Sequence, residues 1–116
     1  MKGEPIVILL VEDEPAHAEI VRRNFESFRL ANRLVHVADG QAALDYVYHR
    51  AEFSAPEQSP RPSLILLDLR LPKVDGLEVL HILKSDPDLC SIPVVVLTTS
   101  AAEADMARAY DDHDNS

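Results

Sequence analysis

The sequence predicts an α/β fold in which helices cover both faces of a parallel sheet. Three short segments, residues 6–11, 64–67 and 94–97, are apolar throughout. Unbroken Val, Ile and Leu runs of this length are typical of strands that are buried on both sides. Segments with the apolar spacing of helices alternate with them. The length of 116 residues is enough for one domain, which we place at residues 1–116.

A fourth apolar segment, residues 34–38, is interrupted by His36, so we expect it at an edge of the sheet. The resulting order along the chain is β-α-β-α-β-α-β-α. Right-handed crossovers and helices on both faces leave few topologies for such a chain. The simplest is a flavodoxin-like doubly wound parallel sheet, and the predicted strand order is 2-1-3-4.

Four helices are predicted, because apolar residues recur on one face of each segment. The first begins near Pro15, and the others follow Asp39, Asp75 and Ser100 as N-caps. The predicted buried faces are Ile20, Val21, Phe25 and Phe28; Ala43, Leu44, Val47 and Tyr48; Leu77, Leu80 and Leu83; and Ala102, Met106, Ala109 and Tyr110. Residues 50–62 form a long Pro-rich loop, of a kind that is more often functional or mobile than accidental.

The composition excludes several classes of protein. The formal net charge is −9, from 11 Lys and Arg against 20 Asp and Glu. Nucleic-acid binding depends on basic side chains and is therefore not expected.

The single cysteine, Cys90, favours a reducing compartment. The apolar runs are too short to cross a bilayer, and the first residues do not resemble a signal peptide, so we expect a cytoplasmic protein without a membrane partner.

Polar side chains follow the three apolar strands. Glu12 and Asp13 follow the first, Asp68 the second and Thr98 the third. The carboxyl ends of parallel strands line the ligand crevice of an open α/β sheet, so we expect these residues in one pocket. Crowded carboxylates repel unless a cation offsets them, and Mg²⁺ prefers oxygen ligands. With Mg²⁺ beside it, Asp68 could attack a phosphoryl group, and Thr98 could donate a hydrogen bond to a phosphoryl oxygen.

Structural explanations compete for some of these residues. Glu14 is more readily a helix N-cap or a solvated loop residue than a ligand, and Thr98 alone is a weak signal because Thr is common in strands. The histidines lack the spacing of a zinc site and are more readily solvated or structural; they are His17, His36, His49, His81 and His113. Glycine-rich nucleotide loops and a Gly-x-Ser-x-Gly turn do not occur in the sequence.

Taken together, the strand-end residues resemble the receiver domain of bacterial two-component response regulators. The matching segments are residues 8–14, 38–40, 64–76 and 92–100. They contain a strand-end acidic pair, an Asp-x-x-x-Pro-x-x-Asp-Gly loop and a strand-end Thr in the order of that family. The Pro-rich loop and the Leu-Pro-Lys-Val-Asp-Gly segment are similar to those of the small stand-alone regulators that partner bacterial phytochromes.

The resemblance implies that Asp68 accepts a phosphoryl group from a sensor histidine kinase, of the bacteriophytochrome type in the narrower case, or from a phosphotransfer protein. It implies that Glu12, Asp13 and Asp68 form a Mg²⁺ site together with the backbone carbonyl of Arg70, with Asp13 as a direct ligand and Glu12 acting through water. Thr98 matches the switch hydroxyl of the family. Such a protein is a single-domain switch with at most self-phosphorylation and self-dephosphorylation activity, and is not a conventional enzyme.

In one respect the sequence departs from the family pattern. The family continues into a fifth strand that ends in Lys-Pro and then a fifth helix, whereas residues 110–116 close this chain before that strand. Three explanations remain open: a C-terminally incomplete receiver, a strand supplied by a second copy in a homodimer, or a degenerate receiver. The main alternative function is a pseudo-receiver binding module that is not phosphorylated. A Mg²⁺-dependent phosphohydrolase is weaker, because no carboxylate follows two residues after Asp68.

Overall fold

A four-stranded parallel sheet forms the centre of the protein. The computed structural model describes residues 6–27, 31–71 and 73–97. The strands are β1 (Ile6–Val11), β2 (Asn32–Val37), β3 (Leu64–Asp68) and β4 (Val94–Leu97), in the spatial order β2-β1-β3-β4. The predicted fold class and strand order are therefore confirmed, with β2 at an edge. The predicted fourth helix and the C-terminal segment lie outside the described residues.

In the part of the chain that the structure describes, three helices cover the two faces of this sheet. They are α1 (Pro15–Glu26), α2 (Gly40–Val47) and α3 (Gly76–Ser85). Alternate side chains of a strand point to opposite faces, so Ile8 and Leu10 pack with α1 while Leu9 and Val11 pack with α2 and α3. Within the described ranges, no helix combines the length and apolar character that would let it cross a membrane.

Local sequence signals determine where these helices begin. The Asp39 carboxylate accepts a hydrogen bond from the Ala42 N–H at 2.7 Å, and that of Asp75 accepts one from the Leu77 N–H at 2.8 Å. Both aspartates are the predicted N-caps. Pro15 is the first residue of α1, as predicted, and Glu14 occupies its N-cap position without a capping bond from its side chain.

The predicted buried face of α1 is wrong at Ile20, whose exposed fraction is 59%. The buried face is formed instead by Ala18, Val21 and Phe25, which lie three and four residues apart and so share one side of the helix. Ile20 is about 100° around the helix from Val21 and therefore points away from the sheet. Phe28 lies outside the described residues.

The predicted buried face of α2 is wrong at Tyr48, because the helix ends at Val47 and Tyr48 is exposed. Tyr46 is the buried aromatic residue, with an exposed fraction of 1%. Its hydroxyl donates to the Pro60 carbonyl at 2.8 Å, and its ring centroid lies 5.2 Å from that of Phe53. The long loop thus covers a side of α2 that the sequence pattern assigns to solvent.

The loop itself contains two short 3-10 turns, Ala51–Phe53 and Pro56–Gln58. Besides Tyr46, His49 holds it in place, since its Nε2 lies 2.9 Å from the Ser59 carbonyl oxygen and donates to it. Ser59 is buried. These contacts attach the loop to the C-terminal end of α2 and to the residues that directly follow it, and the apolar pattern does not predict them.

A hydrogen bond between the ends of α2 and α3 should be visible in a pH titration. The Tyr48 hydroxyl donates to the Asp86 carboxylate at 2.6 Å, and partial desolvation of this hydroxyl together with the bond raises the pKa of Tyr48 to about 12. The bond stabilises the fold below the normal tyrosine pKa of 10.0, and this contribution is lost as the pH rises through 12. In an ultraviolet phenolate titration, Tyr48→Phe should remove the absorbance change of one tyrosine that titrates near pH 12. A titration curve that keeps this late phase would contradict the assignment.

Candidate metal centre

Three carboxylates meet at the carboxyl edge of the sheet. Glu12 and Asp13 follow β1, and Asp68 is the last residue of the neighbouring strand β3. Val11 lies opposite Leu67 in the parallel register, so the residues that follow leave the sheet side by side. One oxygen from each of the three side chains lies within 4.8 Å of the others. We call Glu12, Asp13 and Asp68 the acidic cluster.

Glu12 is the buried member of the acidic cluster, with an exposed fraction of 4%. Its Oε2 accepts a hydrogen bond from the Glu14 N–H at 3.2 Å and lies 3.7 Å from Nδ1 of His17. Burial raises the pKa of the Glu12 carboxyl, and the adjacent Asp68 raises it further; the Glu14 amide and His17 partly oppose this. Glu12 is therefore a carboxylate whose negative charge is costly without a nearby cation.

Asp68 is half-buried, and one of its oxygens has a defined direction. Oδ1 accepts a hydrogen bond from the Arg70 N–H at 3.0 Å. The next residue, Leu69, is buried in the core and anchors the chain directly after the carboxylate. The Asp68 side chain consequently projects from the sheet edge with one oxygen held by the loop that follows.

The main chain of Glu12 is attached to the edge strand. Its N–H donates to the Val37 carbonyl at 3.0 Å, and its carbonyl oxygen lies 2.7 Å from Nε2 of His36. A carbonyl has no hydrogen to donate, so the imidazole N–H is the donor. Strand β2 therefore holds the point at which the chain enters the acidic cluster.

The loop after Asp68 packs closely against two glycines. A Cβ atom on Gly76 would lie 2.4 Å from Cα of Leu69, and one on Gly40 would lie 2.0 Å from the Val74 carbonyl oxygen. Lys73 has a φ of 65° in this loop, and its ammonium lies 3.7 Å from the carboxylate of Asp39. The loop that carries Arg70 is thus fixed against the N-terminal ends of both α2 and α3.

A cleft of about 550 Å³ opens beside Glu12 and Asp68. Its walls combine charged and apolar side chains from α1, β4 and the loop after β3. The lining residues are Glu12, His17, Ile20, Val21, Asp68, Arg70, Val96 and Leu97. A reactant can therefore reach Asp68 from solvent.

Comparison with known proteins identifies this arrangement. The model of the response regulator receiver domain family matches residues 8–115. The chain belongs to this family. A probable methanogenesis regulatory protein, FilR2 of Methanothrix harundinacea (strain 6Ac), is 50% identical over 113 residues, which are 97% of this chain and 70% of that protein.

Solved structures of other receiver domains share the fold. The Mn²⁺-bound form of response regulator Rcp1 matches with a TM-score of 0.83 and 46% identity, over 91% of this chain and 76% of that one. The phosphorylated cyanobacterial phytochrome response regulator RcpA matches with a TM-score of 0.83 and 43% identity, over 95% of this chain and 76% of that one. Both show that the described part of this chain has the receiver architecture.

The residues of this receiver domain fit a hard divalent cation. The acidic cluster supplies carboxylate oxygens, which Mg²⁺ and Mn²⁺ prefer to the nitrogen and sulfur ligands of zinc sites. A bound cation would offset the burial of Glu12 and the repulsion between Glu12 and Asp68, both of which raise the Glu12 pKa. The donor set and its electrostatics therefore point to the same class of ion.

The structure brings together three of the residues that the sequence predicts for the site, Glu12, Asp13 and Asp68, and it places Arg70 on the wall of the cleft. Thr98 lies outside the described residues. Sequence reasoning missed the contacts of His17 and His36 with Glu12. The sequence places His36 in the predicted second strand, but the register that brings it beside Glu12 is seen only in the structure.

Replacing Glu12 with Gln should stabilise the metal-free protein and reduce the stability that metal binding adds. In EDTA at neutral pH the variant should be more stable by an amount on the order of 1 kcal/mol, since a buried charge beside Asp68 is removed. Wild-type protein should also gain stability as the pH falls from above the raised Glu12 pKa towards the unfolded value of 4.5, and the variant should lack this gain.

With Mn²⁺ present, the wild type should gain more stability than Glu12→Gln, because it retains the full set of carboxylates. Urea unfolding in EDTA and in Mn²⁺ measures both effects. Glu19→Gln is the control, because Glu19 is half exposed on α1 and its ion pairs with Arg22 and Arg23 contribute little. A Glu12→Gln variant that is less stable than wild type in EDTA would contradict the prediction.

Proposed function

We propose that this receiver domain, residues 1–116, is a single-domain response regulator whose Asp68 accepts a phosphoryl group from a sensor histidine kinase in a Mg²⁺-dependent reaction. The observation that carries the proposal is the acidic cluster, in which three carboxylates from two adjacent strands lie within 4.8 Å at the open end of the sheet. Membership of the receiver family supports it.

Asp68 is the nucleophile in this proposal. Because the Arg70 N–H holds Oδ1, the second carboxylate oxygen is the one that attacks phosphorus. An oxygen–phosphorus bond forms while the bond between phosphorus and the kinase's histidine nitrogen breaks, and the electron pair of that bond stays on the imidazole. The product is an acyl phosphate on Asp68. The cleft beside Asp68 provides the approach for the donor.

Glu12, Asp13, Asp68 and the backbone carbonyl of Arg70 are the proposed Mg²⁺ ligands. A divalent ion bound there supplies positive charge next to the carboxylates and the incoming phosphoryl oxygens. The Mn²⁺-bound form of Rcp1 supports this choice of ion class. Thr98 is the proposed switch hydroxyl, which donates to a phosphoryl oxygen and so couples the charge to the segment that follows it.

The similarity to the phytochrome response regulator RcpA supports a phytochrome-type histidine kinase as the partner. In this proposal the reaction is cytoplasmic, which fits a sequence with a single cysteine. The signal then leaves the domain through a protein contact, with a target or with a second copy of the chain. Activity is limited to accepting and losing the phosphoryl group.

The proposal is tested by incubating the chain with acetyl phosphate and Mg²⁺ and measuring the intact mass. One phosphoryl group should be added, hydroxylamine should remove it, and EDTA should prevent its addition. A domain that takes no label from acetyl phosphate or from a histidine kinase would instead be an unphosphorylated binding module. Repeated turnover of a phosphate monoester would indicate a phosphohydrolase.

A further inference from the structure

We propose that His36 is a positioning residue for the metal centre, and that it acts by holding the peptide that joins Glu12 to Asp13. The inference rests on the proposed function, because it concerns the same site. Its basis is the hydrogen bond of 2.7 Å from Nε2 of His36 to the Glu12 carbonyl oxygen.

This bond extends the attachment of β1 to β2 beyond the end of the strand. In the parallel register His36 lies opposite Leu10 and Val37 lies opposite Val11. Glu12 comes after the last paired residue, and its N–H still donates to the Val37 carbonyl at 3.0 Å. Its carbonyl is held by a side chain, that of His36. Both polar groups of the Glu12 main chain are thus bonded to the edge strand.

Holding the Glu12 carbonyl determines the direction in which Asp13 leaves the sheet. The carbonyl of Glu12 and the N–H of Asp13 belong to one rigid planar peptide, so a fixed oxygen orients the whole unit. The Asp13 side chain is exposed, and its position therefore depends on the main chain that carries it. The Glu12 side chain is anchored separately, through the Glu14 N–H and His17.

Loss of this bond should weaken metal binding more than folding. Partners that orient metal ligands typically contribute 10- to 100-fold in metal affinity. His36 acts through the backbone, so we expect His36→Ala to weaken Mn²⁺ binding by about 10-fold. His36→Gln places an amide N–H donor near the position of Nε2 and should restore most of the affinity.

Arg33→Ala is the matched control. Arg33 is on the same edge strand, and its guanidinium also donates to a main-chain carbonyl, that of Gln58, at 3.4 Å. Three residues separate Arg33 from His36, which is about 10 Å along a strand. The control therefore removes the same kind of bond from β2 at a distance from the acidic cluster, and Mn²⁺ affinity should not change.

The experiment measures binding of Mn²⁺ alone to the full chain by electron paramagnetic resonance of the free ion, together with urea unfolding in EDTA. We expect wild type and Arg33→Ala to bind Mn²⁺ with equal affinity. His36→Gln should bind it slightly more weakly than wild type, and His36→Ala about 10-fold more weakly. In metal-free protein the NMR amide signal of Asp13 should move in His36→Ala and return towards its wild-type position in His36→Gln.

The outcomes separate this inference from the proposed function. Wild-type protein that does not bind Mn²⁺ would overturn the metal centre itself. Wild-type binding with an equal affinity in folded His36→Ala would overturn only the role of His36. If His36→Ala does not fold, His36→Gln decides: weakened Mn²⁺ binding together with an unmoved Asp13 signal would overturn the inference, and near-normal affinity with a small shift of that signal would support it.

Discussion

Replacing Asp68 with Asn is expected to abolish phosphorylation of the chain by acetyl phosphate or by a kinase. An amide is a poor nucleophile, so the oxygen–phosphorus bond cannot form at this position. The fold should be retained, because the Asn side-chain oxygen can still accept the Arg70 N–H bond. In EDTA the variant should be at least as stable as wild type, since one of the crowded carboxylates is removed.

The matched control for this prediction is Asp45→Asn, which makes the same chemical change in α2. Asp45 accepts a hydrogen bond from Gln41 at 2.9 Å and pairs with Arg50, and it is not part of the acidic cluster. Intact-mass measurements should show one phosphoryl group on the control and none on Asp68→Asn. A full label on Asp68→Asn would mean that another residue is the acceptor.

Replacing Gly76 with Ala is expected to destabilise the fold by about 3 kcal/mol and to weaken Mn²⁺ binding. The added Cβ would lie 2.4 Å from Cα of Leu69 and 2.6 Å from the carbonyl oxygen of Asp68. These are backbone atoms, which cannot rotate away, so the peptide after Asp68 must shift. The shift would displace the carboxylate and the Arg70 N–H that holds it.

Helix propensity predicts the opposite sign for this substitution, because Ala is more favourable than Gly in a helix by up to about 1 kcal/mol. The Gly76→Ala experiment therefore decides between close packing and propensity. Glu78→Ala is the control, since Glu78 is exposed two residues further along α3 and its loss should cost little. Urea unfolding that shows Gly76→Ala to be as stable as wild type would contradict the packing argument.

The strand order and the meeting of Glu12, Asp13 and Asp68 could be predicted because they depend on local signals and general topology. Apolar runs identify buried strands, and parallel strands in this order end at one edge. The caps at Asp39 and Asp75 were equally accessible, since a capping bond spans only two or three residues.

Side-chain burial on the helices was less predictable. Periodicity gives the direction of a side chain from the helix axis but does not say which side a distant segment will cover. The pattern therefore assigned Ile20 and Tyr48 to the core, whereas Ile20 lines the cleft and Tyr46 is covered by the loop through Phe53 and Pro60.

By itself the sequence determined the fold class, the strand order and which carboxylates share the edge of the sheet. Only the tertiary structure decided how that edge is built: His36 bonded to the Glu12 carbonyl, His17 beside Oε2 of Glu12, and Gly76 against the peptide that follows Asp68. The physical reason is the separation along the chain of the residues that interact. Strands and caps follow from interactions between near neighbours, whereas these contacts arise only when separate segments pack within a few ångströms of each other.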